Sequence, residues 1–110
     1  MKNLLKSIQY DLLDFIEGED DPDYTSEDVA ACITTLLDFM SAIESESQTK
    51  DSAKEHIKTL VLSLNSLNES CDDCLIDTGQ REDICEFIQK VLSAANIDFP
   101  GDITEEWRMW

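Results

Sequence analysis

The chain has 110 residues, of which 25 are aspartate or glutamate and 8 are lysine or arginine, so its formal net charge is −17. A phosphate backbone or an anionic membrane surface would repel this charge, which excludes nucleic acid and such membranes as direct partners. The apolar share of 42% is too high for a disordered acidic tail, and no apolar run reaches the roughly 18 residues of a membrane span. The sequence predicts one helical domain over residues 1–110.

Apolar residues recur at helical spacing in four segments, which run from Leu4 to Ile16, from Val29 to Ile43, from Ala53 to Leu67 and from Ile84 to Ala95. The alternation of apolar and polar residues that is typical of strands is absent. Short connections favour antiparallel neighbours. We therefore predict an all-α fold, a small four-helix up-and-down bundle with a short C-terminal helical turn.

Punctuating residues mark the first helix boundary. Gly18 ends the first segment, and Thr25 followed by Asp28 has the pattern of a capping box for the second helix. Tyr24 before this cap and Val29 after it have the spacing of a hydrophobic staple.

The later boundaries follow the same signals. Thr49 or Asp51 can cap the third helix, and Asp77 or Thr78 can cap the fourth. Asn96 is expected as a left-handed C-cap, after which the chain would fold back onto the end of the fourth helix, with Ile97 against Leu92.

A last helical turn is predicted over Thr104–Trp110. Trp107 and Trp110 are three residues apart and would share one face of this turn. We expect this face to close the open side of the bundle, with Arg108 pointing outward. The alternative is an aromatic anchor for a partner, since tryptophan is enriched in binding hot spots.

The cysteines present several alternatives. The pair Cys71 and Cys74 has C-x-x-C spacing, but the two aspartates between them disfavour a reactive thiolate. A structural zinc site needs four ligands; Cys85 and His56 could supply the other two, but the sequence has no second paired motif. We therefore interpret this segment as a loop with incidental cysteines, and Cys32 and Cys85 as small buried hydrophobes.

The sequence contains no complete pattern for a calcium site or for acid–base catalysis. No register of the acidic stretch 17–28 supplies the glycine at position 6 of an EF-hand loop together with its other ligands, and in segment 72–83 cysteine and leucine fall where carboxylates should be. His56, the single histidine, has no marked nucleophile or orienting partner and is predicted to lie at the surface or boundary. We expect no metal, no cofactor and no enzymatic activity.

The distribution of charge is the strongest signal. Positions 7 to 49 carry twelve acidic residues and no lysine or arginine, whereas thirteen acidic residues from position 51 onward are partly offset by five basic ones. An acidic surface can simply maintain solubility, but such a role would tolerate scattered bases. The asymmetry favours a basic macromolecular partner that is steered electrostatically.

Three stretches carry a resemblance to known proteins. Leu67-Asn-Glu, Asp77-Thr-Gly-Gln-Arg-Glu-Asp-Ile84 and Ile103-Thr-Glu-Glu-Trp-Arg-Met-Trp110 resemble small acidic helical proteins of bacteria. Some of these are immunity proteins of interbacterial toxin systems, including contact-dependent growth inhibition. The chain is also similar to the four-helix immunity proteins of nuclease colicins in its acidity and in Asp23-Tyr24-Thr25 opening a helix, although their tyrosine-pair motif has no counterpart here.

This resemblance implies a noncatalytic, cytoplasmic immunity protein, expected to be monomeric, that neutralises a cognate basic toxin, with a nuclease as the expected class. The alternative is a general acidic interaction module, such as an adaptor or a secretion chaperone for a basic effector. The predicted partner-binding surface lies at the corner between the first two helices. It consists of Glu19, Asp20, Asp21, Asp23, Tyr24, Glu27 and Asp28.

Overall fold

A computed structural model describes residues 2–18, 24–45, 49–71, 75–76, 78–97, 104 and 107–110. Four helices account for most of them: α1 (Lys2–Glu17), α2 (Ser26–Glu44), α3 (Lys50–Ser70) and α4 (Thr78–Ala94). No strand occurs within these ranges. The predicted all-α four-helix bundle is confirmed.

Helix α2 occupies the centre of the bundle. It packs against α3 and α1 and also reaches α4, while α1 packs against α4, and α3 and α4 approach each other less closely. Each helix contributes fully buried side chains to one core, for example Ile8, Leu36, Leu64 and Phe87. Burying a side chain of this size contributes about 1.5–3 kcal/mol, so the core stabilises all four helices together.

The boundary between α1 and α2 forms as the sequence predicts. The Gly18 N–H donates to the carbonyl oxygens of Asp14 and Phe15 and ends α1. At the start of α2 the Thr25 N–H donates to Asp28 Oδ2 over 2.9 Å, and the Asp28 N–H donates to Thr25 Oγ1 over 3.4 Å. This reciprocal capping box satisfies donors that have no partner within the helix.

The cap of α3 resolves one of the alternatives that the sequence left open. Thr49 rather than Asp51 caps α3, because the Ser52 N–H donates to Thr49 Oγ1 over 3.1 Å and Asp51 already lies in the first turn. Helix α4 begins at Thr78, and Asp77 lies outside the described residues.

The end of α4 confirms the predicted left-handed cap. Asn96 has a φ of 61°, its N–H donates to the Ser93 carbonyl over 3.0 Å, and the Ile97 N–H donates to the Leu92 carbonyl over 2.9 Å. This pair of bonds is a Schellman motif. The buried Ile97 side chain thereby joins the same core as Leu92.

We use the name C-terminal segment for residues 104 and 107–110. Its backbone makes one turn, in which the N–H groups of Trp107 and Arg108 donate to the Thr104 carbonyl oxygen. This turn ends at Arg108, earlier than the predicted Trp110, and the chain beyond it is not helical and stays beside α3. Asn65 of α3 holds it there, donating from Nδ2 to the Trp107 carbonyl over 2.8 Å and accepting from the Met109 N–H over 3.0 Å.

The two tryptophans pack against the core, as the preferred interpretation of the sequence expects. The predicted outward position of Arg108 is wrong. Its guanidinium lies 5.6 Å from the centre of the Trp110 ring and donates to Thr104 Oγ1 over 3.3 Å. The C-terminal segment lies beside Cys85 of α4, and the guanidinium of Arg108 also donates to the Cys85 sulfur over 3.8 Å. Arg108 is therefore only half-exposed.

Within the described ranges, no helix combines the length and the apolar character that a membrane span needs. The apolar side chains of these helices instead supply the shared core, as the helical spacing of the sequence predicts.

Candidate functional site

The described part of α1 and α2 presents carboxylates to solvent with no neighbouring cation in the sequence from 7 to 49. Six of these carboxylates belong to exposed residues, and none of the six forms an ion pair with any residue that the structure describes. They are Asp11, Asp14, Glu17, Glu27, Asp38 and Glu44. An exposed carboxylate without a counter-charge stays available for a cation from another molecule.

Six of the seven predicted partner-binding residues divide into three groups. Glu19, Asp20, Asp21 and Asp23 lie outside the described residues. Glu27 is exposed in the first turn of α2, as a contact residue must be. Asp28 is half-buried, and its Oδ2 accepts the Thr25 N–H in the capping box, so part of its hydrogen-bonding capacity is used within the protein.

Tyr24 requires a correction. Its side chain is only 2% exposed, and its hydroxyl donates to the Leu12 carbonyl oxygen over 3.0 Å. Since the ring is part of the core together with Val29, Tyr24 fills the position that a hydrophobic staple needs. It therefore leaves the predicted contact surface and fixes the start of α2 against α1.

Phe15 is the aromatic residue that sequence reasoning missed at this corner. The apolar spacing of α1 predicts it as a core residue, but it is 45% exposed. Its ring stacks on Tyr24, with ring centroids 5.7 Å apart and an interplanar angle of 13°. A signal was present in the sequence: Phe15 lies four residues after Asp11, and residues at this spacing share a helix face. Phe15 thus sits where the apolar and acidic faces of α1 meet.

We call Asp11, Asp14, Phe15, Glu17 and Glu27 the acidic corner. Its chemistry follows from a rigid, half-exposed ring beside carboxylates. A ring face attracts guanidinium and ammonium groups, and the carboxylates accept hydrogen bonds from the same groups. Because Tyr24 is held by its own hydrogen bond, the stacked ring of Phe15 is preorganised, which reduces the entropy lost on binding.

Among the described residues, the cysteines do not form a second candidate site. Cys32 is buried, as predicted, and burial, reinforced by neighbouring Cys71, raises the pKa of its thiol from 9.0 to about 12. Cys85 is half-buried rather than buried, and its sulfur accepts from Arg108 over 3.8 Å. In the part of the chain that is described, no three histidine, cysteine or acidic residues group as metal ligands would; Cys74 lies outside it.

His56 occupies the boundary position that the sequence predicts, because it is half-buried on α3. It lines a cleft of about 300 Å³ between α2 and α3, together with Asp38 and three hydroxyl-bearing residues. The sequence did not predict this cleft, since its lining comes from two helices that only tertiary packing brings together.

Comparison of the chain with protein-family models, curated proteins and solved structures finds no match. The features of the molecule that bear on its function are the acidic corner and the distribution of charge.

Proposed function

We propose that this chain is a noncatalytic immunity protein that binds and neutralises a cognate basic protein toxin, with a nuclease as the expected class. The observation that carries the proposal is the acidic corner, where Asp11, Asp14, Glu17 and Glu27 are exposed and form no ion pair with any described residue, together with the half-exposed ring of Phe15. The resemblance of the sequence to bacterial immunity proteins leads to the same function.

The proposed mechanism is occupation of a basic surface. A nuclease presents lysine and arginine to the phosphates of its substrate, and a dense set of carboxylates competes for the same cations. Such complementarity raises association rates from about 10⁵–10⁶ M⁻¹s⁻¹ to as much as about 10⁸–10⁹ M⁻¹s⁻¹ at low salt. The charges supply rate and orientation, and the Phe15 ring supplies a desolvated centre of the kind that dominates binding energy.

Neutralisation is the decisive test of this proposal. The chain is immobilised, a lysate of the source organism is passed over it, and bound proteins are eluted with increasing salt and identified. The gene for the retained basic protein is then expressed in a host with and without this chain. The expected result is growth arrest by the captured protein alone and restored growth when the chain is co-expressed.

Two outcomes would contradict the proposal. A captured protein that does not arrest growth would remove the immunity function. Retention of many partly unfolded proteins, with little dependence on salt, would favour the secretion chaperone, because a chaperone binds its clients through apolar grooves.

A matched pair of variants tests the acidic corner itself. Phe15→Ala is expected to weaken binding of the captured toxin by about 2 kcal/mol, or roughly thirtyfold, because it removes the aromatic centre. Met109→Ala is the control, since Met109 is 82% exposed in the C-terminal segment, outside the acidic corner, and it should leave the dissociation constant unchanged. Equal effects of both substitutions in a calorimetric titration would place the contact elsewhere.

Charge reversal addresses the predicted residues that lie outside the described ranges. Replacing Asp20, Asp21 and Asp23 together by lysine is expected to slow association and to flatten its dependence on salt. Stopped-flow measurements at several salt concentrations check this. An unchanged rate and an unchanged salt slope would exclude these three residues from the contact surface.

A further inference from the structure

The cleft between α2 and α3 is, after the acidic corner, a second place where polar side chains have no partner among the described residues. Its volume is about 300 Å³, and its lining combines apolar and polar side chains. The buried residues Phe39 and Leu60 contribute apolar surface. Asp38 and His56 contribute polar groups from opposite sides, α2 and α3, and neither forms a hydrogen bond or an ion pair with any described residue.

The hydroxyl groups of the lining are biased toward accepting hydrogen bonds. Thr35 Oγ1 donates its proton to the Ala31 carbonyl over 2.8 Å, and Thr59 Oγ1 donates to the Glu55 carbonyl over 3.0 Å. A hydroxyl has one proton and two lone pairs, so both oxygens keep only acceptor capacity. With the Asp38 carboxylate, which accepts only, the cleft has more acceptors than donors.

The charge around the cleft is negative. Asp38 is the one acidic residue of its lining, and no lysine or arginine of the described residues belongs to that lining. Lys58 is two residues from His56 and therefore lies about 200° around α3 from it. Lys54, four residues before Lys58 and on the same face, approaches the Trp107 ring at 5.9 Å from its centre. Lys54 is thus directed to the side of the C-terminal segment.

We propose that this cleft binds the guanidinium group of an arginine side chain presented by the protein partner. The inference rests on the proposed function for the origin of that arginine, and on the cleft alone for its chemistry. A guanidinium has five N–H donors in one plane and no acceptor, which suits several acceptors spread over two helices. Its aliphatic stem packs against the apolar surface of Phe39 and Leu60.

The cleft extends the binding surface beyond the acidic corner. The corner uses exposed carboxylates and a ring face, whereas the cleft encloses a single cationic side chain. Arginine is enriched among hot-spot residues, and such anchors fill pockets at the centre of an interface. The partner is therefore a basic protein with an exposed arginine at its contact surface.

A titration with a small probe tests the cleft without the toxin. The ¹⁵N-labelled protein is titrated with N-acetyl-L-arginine amide, with the lysine analogue and with the neutral citrulline analogue, at about 0.15 M salt to screen the general charge. We expect saturable shifts of the amide signals of Thr35, Asp38 and Thr59 and of the His56 ring signals. A dissociation constant on the order of millimolar is expected for a ligand of this size.

Substitutions separate the cleft from the overall charge. Asp38→Asn keeps the shape of the side chain and is expected to weaken arginine binding at least about tenfold, since a charge-assisted hydrogen bond is lost. Glu82→Gln removes one exposed charge on α4 and should leave binding unchanged. Thr35→Val removes a lining acceptor and should weaken binding several-fold, whereas Thr34→Val, at the exposed neighbouring position, should not.

Four results would overturn the proposal: no saturation, shifts spread over α1 that persist in Asp38→Asn, equal binding of the citrulline probe, or equal binding of the lysine probe. The outcome is independent of the toxin experiment. Failure of the probe titration together with successful neutralisation rejects the cleft and leaves the immunity function. Saturable arginine binding together with failed neutralisation leaves the cleft and rejects the immunity function.

Discussion

The acidic corner and the C-terminal segment treat their charges in opposite ways. At the corner, Asp11, Asp14, Glu17 and Glu27 are exposed and form no ion pair with any residue that the structure describes. In the C-terminal segment, Arg108 contacts the Trp110 ring and Thr104, and Lys54 of α3 approaches the Trp107 ring. One surface keeps its charges available for another molecule, and the other uses its cations in internal contacts.

The two surfaces differ in whether their residues are expected to contribute to binding or to stability. Exposed carboxylates close together repel each other, so they contribute nothing favourable to folding. The aromatic residues of the C-terminal segment pack against the core, and the side chain of Asn65 holds their backbone. Substitutions at the corner are therefore expected to change binding, whereas substitutions in the C-terminal segment are expected to change the free energy of unfolding.

The largest expected effect on stability comes from the C-terminal segment. Trp107→Ala removes a large ring that packs against the core and carries a cation–π contact with Lys54. We expect the free energy of unfolding to fall by about 2–3 kcal/mol, measured by urea denaturation. Met109→Ala is the control, because Met109 is 82% exposed, and it should stay within about 0.5 kcal/mol. Equal stabilities of the two variants would mean that the segment adds nothing to the cooperative fold.

Per pH unit, the next effect is smaller and concerns Cys32 of α2. Burial, reinforced by neighbouring Cys71, raises the pKa of its thiol to about 12. The unfolded chain loses this proton near the ordinary value of 9.0. The stabilising contribution is thus complete below about pH 9 and is lost as the pH rises toward about 12. We expect the free energy of unfolding to fall by on the order of 1 kcal/mol per pH unit in this window from Cys32 alone.

Denaturation at a series of alkaline pH values checks the contribution of Cys32. Cys32→Ala should remove this part of the slope, although it lowers the absolute stability. Cys85→Ala serves as the comparison, because Cys85 is only half-buried. Parallel curves for the wild-type protein and Cys32→Ala would show that the thiol does not contribute.

The smallest expected effect is electrostatic and lies at the corner. Asp11 is followed three residues later by Asp14 and has no base at helical spacing, whereas Glu55 of α3 has Lys58 three residues later. Asp11→Lys is therefore expected to raise the free energy of unfolding by about 0.5 kcal/mol at low salt, and Glu55→Lys should lower it or leave it unchanged. The difference should shrink at about 0.5 M salt. Melting temperatures at both salt concentrations test this, and identical behaviour of the two variants would contradict the contrast.

Much of the fold could be predicted because its signals are local. The capping box of Thr25 and Asp28, the left-handed Asn96 and the helical spacing of apolar residues each depend on a few neighbours in the chain. Phe15 and Arg108 were predicted wrongly for a common reason. Their environment depends on a residue that is distant in sequence or on another segment, Tyr24 for Phe15 and the path of the C-terminal segment along α3 for Arg108.

Periodicity, capping and local charge are properties of residues that are close in the chain. The four helices, most of their caps and the negative charge between positions 7 and 49 could therefore be read from the sequence. Tertiary structure alone decided that Tyr24 is buried while Phe15 is exposed, and that Asp38 and His56 share a cleft. Both depend on how helices pack, because burial and clefts are set by side chains from different helices meeting in space.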